Sequence, residues 1–269
     1  MPEARGLKVV LFCGGQGLRL REYSETIPKP MVMIGFRPIL WHVMRYYAHF
    51  GATEFILCLG HKADVIKDYF LRYSEAVSND FVLSDGGKTI TLLGSDISDW
   101  KITFVDTGLK TNVGQRLRAV ESHISDDEIF LANYGDVLTD APLDELIEKF
   151  KASGKIGAFL AVRPKAYSFH VVELDDGQVV QQIGSISGAD LWINGGYFLF
   201  RREIFEYMQP GEELIEEPFS RLIEAGQLIG YQYDGFWAPM DTLKDLHNLE
   251  AGYEQGYLPW AVWQPRDPV

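Results

Sequence analysis

The sequence predicts a doubly wound α/β fold on a mixed, mainly parallel sheet, and two observations carry that expectation. The apolar runs Leu7–Phe12 and Glu54–Leu59 are each followed by glycine. Such runs read as strands buried on both faces. Helical periodicity fills the stretches after them, so the chain up to Tyr73 alternates strand, helix, strand, helix. That alternation is the pattern of a parallel sheet covered by helices.

The elements follow in order. Leu7–Phe12 opens into Gly14-Gly15 and a long loop running to about Arg37, which carries Pro28 and Pro30. Pro38 stands where a helix would begin. Leu40, Val43, Met44 and Tyr47 then recur at helical spacing until Gly51 provides a stop. After the second strand, residues 63–73 read as a helix, and residues 101–105 and 128–133 as strands. Leu143, Leu146, Ile147 and Phe150 mark a helix between Asp140 and Gly154, and Ile156–Val162 is a further strand. Residues 169–174 and 179–183 flank Asp175-Asp176-Gly177, a hairpin signature. Phe198–Arg201 reads as a strand, and residues 216–225 and 243–255 as helices. No repeat or low-complexity linker interrupts the chain. One domain is therefore expected over residues 1–269, with a core to about residue 160 and a second part over 161–269.

Composition narrows the function. The 269 residues are 46% hydrophobic, and 38 acidic against 25 basic residues leave a net charge of −13. A chain this acidic lacks the basic face that nucleic acid requires, while a few focused cations still suffice for a small phosphate ligand. Cys13 and Cys58 lie in apolar runs and read as buried free thiols. No signal core or membrane-length apolar stretch is present, so a cytoplasmic location with no membrane partner is expected.

The most informative stretch is Gly14-Gly15-Gln16-Gly17-Leu18-Arg19-Leu20, followed by Ile27-Pro28-Lys29-Pro30-Met31. Glycines after a buried strand let backbone N–H groups approach a phosphate. Arg19 adds a forked donor, and flanking prolines restrict the backbone that carries Lys29. The loop is neither a GxGxxG dinucleotide turn nor a Walker motif. Asp136 follows a predicted strand at the sheet edge where ligands bind, so it suits either a Mg²⁺ ligand or a turn cap. Asp241 precedes a predicted helix and suits either a metal ligand or the helix N-cap.

The stretch from Phe12 to Leu20 and Pro28-Lys29-Pro30-Met31 resembles the signature of the sugar-1-phosphate nucleotidyltransferases. Pro38-Ile39-Leu40-Trp41-His42, Val105–Gly108, Ile193–Gly196, Gly235–Thr242 and Pro259–Trp263 are similar to the glucose-1-phosphate cytidylyltransferase branch, in order along nearly the whole chain. The resemblance implies a Rossmann-like, nucleotide-diphospho-sugar transferase type of sheet with a β-rich sugar-side subdomain. It implies attack by a sugar 1-phosphate on the α-phosphorus of a nucleoside triphosphate, best matched by CTP and glucose 1-phosphate, with Mg²⁺ as cofactor. Arg19, Lys29 and Asp136 would be catalytic, and Asp136 and Asp241 would hold the metal. The nucleotide would contact Gly14, Gly15, Gly17, Arg19 and Lys29, with Thr111, Gly114 and Arg116 near the base. Gln115-Arg116 reads equally well as a solvated helix start. Asn194 and Gly195 fall on the sugar side. Trp192 suits either a sugar face or the core, and His170 a packed edge or a sugar hydroxyl. A homo-oligomer is also implied.

Two departures from that family's pattern stand out. Leu18 replaces the threonine usual before the loop arginine. Gln182–Ser187 lacks the lysine that grips the sugar phosphate, which opens the acceptor to other sugar 1-phosphates; Arg163 and Lys165 are the nearest substitutes in sequence. Glu212-Glu213 and Glu216-Glu217 read as helix-start charges. The competing readings are thymidylyl or uridylyl transfer, and a binding module without catalysis.

Overall fold

A computed structural model of the chain describes residues 3–15, 27–124, 128–164, 170–186 and 190–264. Gly17, Leu18, Arg19 and Lys165 lie outside these. Seven strands form the central sheet: β1 (Lys8–Phe12), β4 (Glu54–Leu59), β7 (Lys101–Asp106), β8 (Ile129–Asn133), β10 (Gly157–Val162), β13 (Ile193–Arg201) and β14 (Leu228–Tyr233). Their order is β14-β10-β13-β8-β1-β4-β7. The pairs β1–β4, β1–β8, β4–β7 and β10–β14 are parallel, and β13 alone runs antiparallel to its neighbours β8 and β10. The expected mixed, mainly parallel sheet is present. Strands β13 and β14, beyond residue 160, complete it.

Alternation along the strands builds two cores, because successive strand side chains point to opposite faces. Val9, Leu11, Phe55 and Leu57 face one way and pack with helices α1 (Ile39–His49), α5 (Leu143–Ser153) and α7 (Leu243–Glu254). Val10, Phe12, Ile56 and Cys58 face the other way, against α4 (Val113–Ala119) and α6 (Glu217–Glu224). Helix α2 (Ala63–Leu71) follows β4 and adds Ile66 to the first core. Each fully buried Leu, Ile or Phe contributes about 1.5–3 kcal/mol of burial energy. Both cysteines are buried and free.

The long loop before α1 contains a 3-10 turn at Lys29–Met31 and a small hairpin, β2 (Met33–Ile34) with β3 (Arg37–Pro38). A second hairpin, β5 (Phe81–Ser84) with β6 (Thr89–Leu92), follows the short helix α3 (Glu75–Ser78). The hairpin expected around Asp175-Asp176-Gly177 is β11 (His170–Leu174) with β12 (Val180–Ser185). A two-stranded ladder of β9 (Val137–Thr139) with β15 (Trp237–Pro239) lies beside the sheet's binding edge. The strand read as Phe198–Arg201 begins earlier, so Asn194-Gly195-Gly196 lies inside β13. Among the described residues, no helix is long and apolar enough to cross a membrane.

The carboxyl-terminal aromatics dock on the chain's own core. Trp260 is 2% exposed, its ring 5.7 Å from Phe236 and 6.1 Å from His42. Trp263 meets Trp41 edge-on at 5.9 Å. Buried His42 satisfies both ring nitrogens: Nε2 lies 3.1 Å from the Ile34 carbonyl and Nδ1 lies 3.4 Å from the Trp260 Nε1–H donor. Those partners assign the Nε2–H tautomer.

Candidate active site

Parallel strands present their carboxyl ends at one edge, and the reversed strand β13 brings its amino end there too. A cavity of about 430 Å³ opens at this edge. Its walls include Phe12, Gly15, Thr111, Arg116, Tyr134, Asp136, Asn194, Gly195, Trp237 and Asp241.

The β9–β15 ladder places the acidic pair. Pro239 stands opposite Val137, so Asp136 and Asp241 emerge at the same end of two antiparallel strands. Met240 N–H donates to the Asp136 carbonyl at 3.0 Å and locks that end. Asp241 does not cap α7. Thr242 does, in a capping box with Asp245, which leaves the Asp241 carboxylate for the cavity.

Lys29 projects from the 3-10 turn between its two prolines, and its Nζ lies 2.6 Å from Asp136 Oδ2 and 2.6 Å from Asp241 Oδ1. The side chains are 15%, 17% and 26% exposed respectively, well enough screened from water for the charges to interact strongly. Burial pulls the Lys29 pKa down, but the two carboxylates more than offset it and hold the ammonium charged above its ordinary range. Burial also raises Asp136 above the usual carboxylate value; the Lys29 ammonium works against this shift and neighbouring Asp241 adds to it. Among the described residues, two carboxylates meet on one ammonium. That donor set fits a divalent cation of the Mg²⁺ type, which takes one or two carboxylates and completes its shell with phosphate oxygens and water. Among the described residues, no cluster of three or more His, Cys, Asp or Glu side chains could hold a metal.

Arg116, also in the cavity wall, is 4% exposed and its guanidinium is committed inward. It donates to the Leu59 carbonyl (3.2 Å), the Thr107 Oγ1 (2.6 Å) and the Gly14 carbonyl (3.0 Å). It thereby ties the chain after β1, the end of β4 and the chain after β7. A Cβ on Gly14 would sit 2.0 Å from Arg116 Nη1, so only glycine admits the clamp there. The reading of Gln115-Arg116 as a solvated helix start is corrected. α4 begins at Val113 under an Asn112–Gln115 capping box, which turns Arg116 into the protein. The Thr111 hydroxyl donates to the Thr107 and Gly108 carbonyls, and Gly114 leaves room for the Glu212 carbonyl, 2.3 Å from where a Cβ would sit.

Asn194 accepts from Gly196 N–H through Oδ1 and donates to the Tyr134 hydroxyl at 3.2 Å. The Tyr134 pKa is pushed up to about 12, chiefly by burial. Trp237 donates its indole N–H to the Gly195 carbonyl at 2.8 Å. Trp192 and His170 are not brought to this cavity. Trp192 stacks under the Arg163 guanidinium at 4.6 Å, and Arg163 is paired with Asp190 and Asp234. His170 is an exposed residue at the start of β11. Glu212-Glu213 is also corrected: α6 starts only at Glu217, and the preceding loop packs on α4 and puts Glu213 in the cavity wall. Tyr134, Trp237 and Glu213 are among the lining residues that sequence reasoning did not assign to the site. Tyr134 and Trp237 stood inside recognisable motifs, whereas nothing local marked Glu213.

Comparisons with known proteins place the chain in a family. Residues 8–256 match the Nucleotidyl transferase family. The chain is 36% identical over 259 residues to the glucose-1-phosphate cytidylyltransferase of Salmonella typhi, covering 96% of this chain and all of that one. The Salmonella typhimurium glucose-1-phosphate cytidylyltransferase matches to the same extent. Among solved structures, UTP-bound UGPase from Acinetobacter baumannii superposes with a TM-score of 0.69 at 18% identity, over 96% of each chain; that likeness speaks to the fold.

Proposed function

Because this chain belongs to the nucleotidyl transferase family and is a nucleotidyltransferase, we propose that it transfers a cytidylyl group from CTP to glucose 1-phosphate. A phosphate oxygen of the sugar 1-phosphate forms a bond to the α-phosphorus, the bond from that phosphorus to the β-phosphate bridging oxygen breaks, and pyrophosphate leaves with its electron pair. The nucleophile is already an anion, so no protein base is required and the chain's task is positioning and charge neutralisation.

The observation that carries this reading is the Lys29–Asp136–Asp241 cluster in the wall of a cavity at the sheet's binding edge. Lys29 supplies a buried positive charge to the polyphosphate. Asp136 and Asp241 would hold a divalent cation, Mg²⁺ in this reading, which when bound neutralises phosphate oxygens and aligns the two reactants. Gly14 and Gly15 offer backbone to the triphosphate, with Gly17 and Arg19 continuing that loop. Thr111, Gly114 and Arg116 shape the base side, and Asn194 and Gly195, held by Tyr134 and Trp237, shape the sugar side. Of the two substitutes near Gln182–Ser187, Arg163 is taken by Trp192 and two aspartates, and Lys165 lies outside the described residues. Lys29 and the metal would then carry the sugar phosphate as well. A cytoplasmic homo-oligomer is part of this proposal.

The test is a panel of nucleoside triphosphates against several hexose 1-phosphates with Mg²⁺, following pyrophosphate. Release with CTP and glucose 1-phosphate, yielding CDP-glucose, is expected. No release with any pair would end the proposal, and preference for UTP or dTTP would move it to uridylyl or thymidylyl transfer.

A further inference from the structure

Glu213 is an acidic side chain in the wall of a cavity that must accept polyanions. Among the described residues, its carboxylate accepts two bonds, both from backbone: Oε2 from Val113 N–H at 3.4 Å and Oε1 from Leu214 N–H at 2.9 Å. Among the described residues, no lysine or arginine pairs with it. An ionised carboxylate offers about four acceptor positions, so about half of them remain for a ligand. The loop that carries it is built rather than loose. Asn112 Nδ2 donates to the Gly211 carbonyl, and Gly114 lets the Glu212 carbonyl approach α4 closely.

A negative charge here repels the triphosphate and the sugar phosphate alike. Glu213 therefore faces an uncharged part of a substrate that presents hydrogen-bond donors. Its attachment decides between the two available parts. It hangs on the first residue of α4, beside Asn112, next to the Gly14–Leu59–Thr107 junction that Arg116 clamps. The wall formed by Asn194, Gly195 and Trp237 belongs instead to β13 and β15.

We propose that Glu213 is a specificity-determining residue that reads the nucleobase: its carboxylate accepts from the exocyclic amino group of cytosine and opposes the carbonyl that uracil and thymine carry at that position. The inference rests on the CTP reading above. Carboxylates accept from cytosine N4 for the same reason in base recognition generally. Replacing the amino donor by an acceptor leaves a partly buried charge facing a lone pair, so discrimination is strong.

The test is Glu213→Gln in the full-length enzyme, with CTP and UTP compared at fixed glucose 1-phosphate. Glutamine keeps one oxygen for Leu214 N–H, the shorter of the two bonds, and puts an amide donor suited to the uracil carbonyl at the other position. A fall of about 10- to 100-fold in the CTP/UTP ratio of kcat/KM is expected, with the KM for glucose 1-phosphate moving less than about twofold. Calorimetric binding of CTP and UTP carries the same ratio without turnover, so it remains readable if the activity assignment fails. An unchanged ratio, or equal losses with both nucleotides, would reduce Glu213 to a structural cap. A raised KM for the sugar phosphate at constant ratio would assign it to a sugar hydroxyl. Wild-type preference for UTP or dTTP would overturn the inference outright.

Discussion

Acidification should loosen the carboxyl-terminal segment through one buried histidine. His42 donates from Nε2 to the Ile34 carbonyl and accepts at Nδ1 from Trp260, so a second proton on Nδ1 would confront the indole N–H. Burial first, and the nearby Arg37 charge as well, bring its pKa from 6.5 to about 4. The folded-state value is depressed, so the unfolded chain takes up the proton first. The stability contribution is complete above pH 6.5 and is lost as pH falls toward 4. Linkage over those two values gives a loss of about 2 kcal/mol by pH 5 and about 3 kcal/mol by pH 4. The assay is urea unfolding followed by tryptophan fluorescence at pH 7.5 and 5.0, for the parent and for His42→Gln. The variant should be less stable at neutral pH, because Gln fits the pair of partners poorly, but it should lack this part of the acid loss. Parallel pH dependences in the two proteins, agreeing within about 0.5 kcal/mol, would refute the reasoning, since a parent-only loss is what linkage demands.

Three further outcomes follow from the site. Asp136→Asn should lower kcat by at least about 1,000-fold while circular dichroism stays native, because it removes a proposed metal ligand and the charge that pairs with Lys29; comparable rates for variant and parent would contradict the metal role. Lys29→Met leaves two buried carboxylates facing each other and should cost about 3–5 kcal/mol without divalent cation, with Mg²⁺ restoring part of it in a thermal scan. A melting temperature indifferent to Mg²⁺ would remove the acidic pair as a cation site. Arg116→Lys cannot reach three separate acceptors, so the KM for nucleotide should rise about tenfold or more while the KM for the sugar phosphate changes little; an unaltered nucleotide KM would make the clamp dispensable.

Much of this molecule is legible in its sequence because local signals and tertiary context agree. β4 runs over the residues that its apolar run marks, and α5 sits between Asp140 and Gly154 as its periodicity requires. The Lys29, Asp136 and Asp241 motifs do converge. The hairpin of β5 and β6 also carries a signal, Asp85-Gly86-Gly87 between two β-rich runs, that the reading did not use. Strands β9 and β15 are three residues each, too short for periodicity to register. Arg116 and Glu213 lie beyond sequence reasoning for another reason. One is buried by a capping box four residues before it, and the other is delivered by a loop about 100 residues away along the chain. Trp192 invites a stacking role by its type, but Arg163 occupies its face.

Lys29 and Asp241 are 212 residues apart along the chain. Ribosomal synthesis proceeds at about 5–20 residues per second, so the first of these side chains waits on the order of ten seconds or more for its counterpart. Until residue 241 emerges, Lys29 and Asp136 can meet, but no growing polypeptide can assemble the acidic pair. Throughout those 212 residues of synthesis the cluster lacks one of its two carboxylates. Chains that stall before residue 241 carry Lys29 and Asp136 without the third member of the cluster.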